Sequence, residues 1–267
     1  MEGFKIFVVP NIDGMGAKEL FHVVLDAMGQ LFYSISVAMG IMVTYGSYFK
    51  DDENLMKSVN RIEIFDTLVA FLAGVMIIPA VYAFLGSDGM TAGPGLMFIA
   101  LPKVFEAMGP AGTWIGAAFF IMVLFAALTS SISILEAVVS GFMDKFGWSR
   151  KKAVIIETVA ALVLGVIICL GYNVFYFDLT LPNGSVGQIL DIFDYISNNI
   201  LMPVVAISTC VLIGWIVKPK TIIDEATKNG ERFGRKGMYI VMVKFIEPVL
   251  LFVLLLGSLG VWDKLLK

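Results

Sequence analysis

Six long apolar runs dominate this sequence and leave little room for a water-soluble fold. Read with a window of about 20 residues, the length of helix that crosses the hydrocarbon core of a bilayer, they fall at 18–49, 61–85, 112–146, 151–172, 185–217 and 238–262. Composition agrees: 58% of the 267 residues are hydrophobic and 15% are charged, and the mean hydropathy is +0.88, far from the values of a soluble domain. The expected fold class is an all-α membrane protein, a single transmembrane domain over 1–267, with the lipid bilayer as a partner. Several runs exceed the minimum length, which allows tilt, a break or an extension beyond the membrane. Between the second and third runs, 86–110 is rich in Gly and Pro yet holds the apolar stretch Gly95 to Pro102. That stretch is too short to span, so it predicts a re-entrant outer hairpin.

The same residues exclude several classes. A net charge of -3 with no block of like charges argues against a nucleic-acid partner. Cys169 and Cys210 each sit in an apolar run, where a buried thiol packs as a small hydrophobe. The sole histidine, His22, has no companion for a transition-metal centre. It also has no visible Ser-His or paired-Asp arrangement that would make the chain an intramembrane hydrolase. No enzyme and no organic cofactor are expected.

Two polar clusters interrupt the apolar runs. In the first, 29–48, Ser34, Ser36, Ala38 and Gly40 lie in mid-segment. Hydrocarbon offers no water to a freed carbonyl, so small and hydroxylated residues at that depth suit a helix that breaks and turns its polar groups onto a solute. The second is Leu128-Thr129-Ser130-Ser131-Ile132-Ser133. Its hydroxyls suit a hard cation, which takes several oxygen ligands, but they equally suit helix glue, bonding back to the preceding turn or across packed helices. Asp66 stands inside an apolar run, where a carboxylate is costly enough that function is its default reading. Pairing with Arg61 or Lys57 is the alternative.

Lysine and arginine placement orients the chain. Lys50, Lys57 and Arg61, then Lys145 to Lys152, then Lys218 to Lys236 mark three loops as cytoplasmic, whereas the opposite loops carry Lys103 alone. Six spans then put both termini on the outer side. With nothing before Lys18 resembling a signal peptide, earlier spans are expected to be missing from this chain.

Four patches carry a family resemblance. They are Gly29 to Ser36 with Met39-Gly40 and Thr44-Tyr45; Phe65-Asp66-Thr67-Leu68 with Ala73-Gly74 and Pro79; Leu128 to Ser133; and Phe193-Asp194-Tyr195. In that order and spacing the chain resembles the carboxy-terminal half, sixth to eleventh helix, of a bacterial neurotransmitter:sodium symporter of the leucine-transporter type. The resemblance implies sodium-dependent symport of a neutral, bulky apolar amino acid across the plasma membrane. It also implies a need for the first-repeat helices, supplied by the same gene or a separate chain; a non-transporting product or structural subunit is the competing reading.

By the same resemblance, one sodium is held by Ser34 and Asp66, and a second by the Ala126 carbonyl with the Thr129 and Ser130 hydroxyls. The Asp66 charge would stand in for chloride. Tyr33, Ser34, Ser36 and Met39 on the broken helix, with Ser130 and Ile134, match the substrate pocket, and Gln30 would bond near Asp66 or the gate. Tyr33 and Met39 depart from common family residues, and flexible methionine fits a side chain larger than leucine. Asp194 matches the outer-gate carboxylate, whose arginine partner lies in the absent half; alternatively it caps the fifth run with Asp191.

Overall fold

The computed structural model describes residues 2–9, 14–86, 89–90 and 94–262. Helices follow one another as α1 (Glu2–Val8), α2 (Ala17–Ser34), α3 (Ile41–Ser47), α4 (Leu55–Leu85), α5 (Leu101–Ala107), α6 (Pro110–Phe146), α7 (Arg150–Leu170), α8 (Ile189–Asp194), α9 (Met202–Val211), α10 (Pro219–Ala226), α11 (Lys236–Val241) and α12 (Glu247–Ser258). Wide π turns at Leu96–Ala100, Tyr195–Leu201, Leu212–Ile216 and Met242–Ile246 continue the helices beside them. One short hairpin pairs β1 (Leu179–Thr180) with β2 (Val186–Gly187), antiparallel, Leu179 opposite Gly187.

Five of these helical stretches among the described residues are long and apolar enough to cross a membrane: Leu55–Leu85, Pro110–Phe146, Arg150–Leu170, Ile189–Ile216 and Lys236–Ser258. Their bounds differ from the sequence reading where caps intervene. The second run is helical from Leu55 because the Asn54 Oδ1 accepts from the Lys57 N–H at 2.7 Å, supplying a cap ahead of the first charged turn. The fifth begins at Ile189, where the Asp191 carboxylate accepts from the Gln188 N–H at 2.9 Å; residues 186–187 belong instead to the hairpin. In the stretch expected as an outer hairpin, residues 94–107 are helical, while 87–88 and 91–93 lie outside the described residues.

Two compact units divide the chain, one from 1–15 and 61–132, the other from 16–60 and 133–267. In the first, α1 lies on α4 through small residues: a Cβ on Gly3 would come within 2.9 Å of the Pro79 backbone, and one on Gly74 within 2.4 Å of the Phe7 ring. The Phe7 and Phe71 rings sit 5.8 Å apart. Its core is Val81 with Ala100, Leu101 and Val104. The turn from α5 into α6 is tight enough that a Cβ on Gly112 would fall 1.8 Å from the Phe105 carbonyl.

The second unit centres on α9 against α12, with Ala206, Cys210 and Leu251 buried and Phe32 and Ala38 packed on them. Gly214 brings the backbones of the two spans together, its Cβ position 3.3 Å from the Val243 carbonyl. The Tyr195 hydroxyl donates to the Ser258 carbonyl at 2.8 Å and pins the two spans together, while the Trp262 indole N–H folds the end of α12 back onto its own Val253 carbonyl at 3.0 Å. Elsewhere the long helices are nearly bare: in α4, α6 and α7 only 6% of the apolar window is buried within the chain. Surface of that kind is satisfied by hydrocarbon or by further helices.

Candidate functional site: a broken helix and a hydroxyl-rich helix

The helix α2 stops at Ser34 and α3 starts at Ile41. Between them Ser36, Ala38 and Gly40 have φ of 52°, 63° and 80°. Left-handed backbone costs a side-chain-bearing residue about 1–2 kcal/mol, so two such residues beside a glycine hold only where surroundings fix them. Here they do. Ala38 packs on the α9–α12 core, Ile41 and Thr44 are buried, and the Thr44 hydroxyl bonds that of Ser140 on α6 at 3.1 Å. The turn itself is closed by Ser36 N–H onto the Tyr33 carbonyl at 3.0 Å and Val37 N–H onto Phe32 at 3.1 Å. Tyr33 and Ser34 are exposed at the end of α2, whereas Ser36 and Met39 are half-buried within the break. Four of the predicted substrate residues therefore share one strained turn of the second unit, to which Ile134, exposed on α6, also belongs.

The remaining candidates lie in the first unit. Ala126, Thr129 and Ser130 are exposed on an unbroken stretch of α6. The Thr129 hydroxyl donates to the Ala126 carbonyl at 2.9 Å and to Phe125 at 3.1 Å, and Ser131 donates to Ala127 at 2.8 Å. This is back-bonding to the preceding turn. It also sets the Ala126 carbonyl and the Thr129 hydroxyl side by side, two oxygens at a spacing that suits a shared cation. Asp66 is half-buried on α4, and because that helix starts at Leu55 the carboxylate sits about three turns inside it. The sodium set thus divides, with Ser34 in one unit and Asp66, Ala126, Thr129 and Ser130 in the other.

Asp194 ends α8, just before the π turn. Its carboxylate accepts from the Asn198 amide at 2.6 Å, while Asp191 alone provides the cap. No sequence signal marks Asn198. Glu136, half-buried in an apolar run, carries the same signal that marks Asp66. Glu136 accepts both arms of the Arg150 guanidinium, at 2.8 and 2.6 Å, and the Tyr48 hydroxyl from the end of α3. With Tyr45 bonded to Ser133, this network fastens the second arm of the broken helix to the lower part of α6.

A multi-pass helical membrane protein with one broken segment is the architecture of a solute transporter rather than an enzyme. Comparison with known proteins makes that specific. The profile of the sodium:neurotransmitter symporter family matches residues 1–265, and the chain belongs to that family. It is 31% identical over 263 residues to the uncharacterised sodium-dependent transporter YhdH of Bacillus subtilis, covering 98% of this chain and 56% of that protein. An uncharacterised sodium-dependent transporter of Haemophilus influenzae is 30% identical, with 97% and 54% covered. The crystal structure of MhsT in complex with L-phenylalanine superposes with a TM-score of 0.82 at 33% identity, over 96% of this chain and 56% of that one. The chain spans about half the length of the relatives it matches.

Proposed function

We propose that this chain forms the sixth-to-eleventh-helix part of a sodium-driven symporter that carries a neutral, bulky apolar amino acid across the plasma membrane. The observation that carries the reading is the left-handed break at Ser36, Ala38 and Gly40, which places Tyr33, Ser34, Ser36 and Met39 around freed main chain. A zwitterion needs donors for its carboxylate and acceptors for its ammonium, and a helix break offers both. Met39 leaves room for a large side chain, and the phenylalanine named with MhsT supports that size class.

In this reading, Ser130 and Ile134 complete the pocket. One sodium sits with Ser34 and Asp66, a second with Ala126, Thr129 and Ser130, and Asp194 serves the outer gate. Sodium binding favours the solute-loaded outward state; its release inside frees the solute, through a coupling of about 1–3 kcal/mol. The first-repeat helices, from the same gene or a separate chain, supply the other half of each site. The test is sodium-dependent binding of radiolabelled phenylalanine, by scintillation proximity, to this chain co-expressed with a first-half chain from a relative. Binding that is equal in sodium and in potassium would refute it.

A further inference from the structure

The second arm of the broken helix is fastened at a place remote from the pocket, by a contact that no part of the proposed transport site uses. The loop after α3 carries Asp51, whose carboxylate pairs with the Lys228 ammonium at 3.0 Å. The Asp51 carbonyl accepts from the Asn229 side-chain amide. Both partners follow α10, which is a fixed platform: Pro219, Ile223 and Ala226 are buried beneath it. Asn229 is itself steadied, its N–H donating to the Glu231 carboxylate at 3.1 Å.

Between arm and platform lies a cavity of about 200 Å³ lined by Gly46, Phe49, Lys50, Glu53, Glu225 and Ala226 among others. The two elements meet here through the Asp51–Lys228 pair and the Asn229 hydrogen bond, beside a cavity whose wall mixes charged residues with Phe49, Leu55 and Ala226. The Lys228 and Asp51 side chains are 48% and 92% exposed. Such pairs are weak and screened by salt, which is the energetic scale of a device that has to open repeatedly. The hydrogen bond to Asp51 also holds the Lys228 ammonium above its ordinary pKa.

We propose that Lys228 and Asn229 form a cytoplasmic latch on Asp51, holding the inner arm of the broken helix to the α10 platform and releasing it when the arm moves. The proposal rests on the reading of residues 35–40 as the break of a transporter helix. It makes no use of the sodium or solute ligands, so its test is independent of theirs.

The test uses the full chain in lipid nanodiscs with Cys169→Ser, the buried Cys210 kept, and spin labels at Asp52→Cys and Arg232→Cys, read by double electron–electron resonance. At low salt the latched pair gives one short distance. Lys228→Glu, or 1 M salt, is expected to raise the long-distance population by up to about fivefold, the ceiling for an exposed pair. Asp51→Lys combined with Lys228→Glu is expected to restore the short distance. A distribution unchanged by Lys228→Glu and by salt overturns the latch, as does a reversed pair that fails to restore it.

Discussion

Residues 34–40 and residues 126–133 are both small, hydroxyl-rich islands within apolar helices, yet one breaks its helix and the other does not. On α6 the Thr129 and Ser131 hydroxyls find acceptors within their own helix, Thr129 on Ala126 and Phe125 and Ser131 on Ala127, while Ser133 meets the Tyr45 hydroxyl. The main chain keeps its regular ladder and the hydroxyls merely decorate it. In the first island α2 ends at Ser34 and the chain turns through left-handed backbone at Ser36, Ala38 and Gly40, with Ala38 held by packing on the α9–α12 core and Thr44 by its bond to Ser140 of α6. Hydroxyls alone do not break a membrane helix. A glycine at the right place, and a neighbour that grips the displaced turn, do.

The largest effect concerns the whole chain. An inverted-repeat transporter binds solute at the interface of its repeats, so residues 1–267 reconstituted alone in liposomes should show no sodium-driven accumulation, and addition of a first-half chain should restore it. Accumulation of any neutral amino acid by the chain alone would show that both islands form a complete site unaided.

Next in size is the α6 island. If its oxygens ligate sodium as well as back-bonding, Thr129→Ala with Ser130→Ala should abolish sodium-dependent solute binding in the two-half protein while leaving membrane insertion intact. If they are only helix glue, sodium titrations of binding will be unchanged.

Asp66 separates the two islands chemically, since neither contains a carboxylate. The wild-type uptake rate should be indifferent to replacing chloride by gluconate, and Asp66→Asn should lower uptake or make it chloride-dependent. Chloride-requiring uptake by the unaltered residue would remove the charge-substitution argument.

The smallest effect tests the break. Gly40→Ala places a Cβ in left-handed backbone, a penalty of about 1 kcal/mol or slightly more, although nothing crowds that position within 4 Å. Solute affinity in the two-half protein should fall by roughly five- to thirtyfold, the fold equivalent of about 1–2 kcal/mol. The corresponding Gly141→Ala on α6, where the glycine has regular helical backbone and open space, should leave affinity unchanged.

What the sequence determined by itself is what hydrocarbon demands. Apolar runs of bilayer length must be helices, because no other segment satisfies its backbone in lipid, and a carboxylate such as Asp66 or a string such as Thr129-Ser130-Ser131 stands out against them. Motif order was equally legible, since Gly29 to Tyr45 and Leu128 to Ser133 carry their family pattern in a single stretch each. Tertiary structure decided the rest. Asp191 capped its helix while Asp194 took Asn198 as a partner, a choice between two carboxylates three residues apart that depends on where the first turn begins. Gly74 proved to be a seat for the Phe7 ring. Glu136 acquired its meaning only when Arg150 and Tyr48, distant in the chain, converged on its two oxygens. Hydrophobic periodicity and run length are local properties that a sequence displays, whereas the partner of a half-buried charge is fixed by which helices meet.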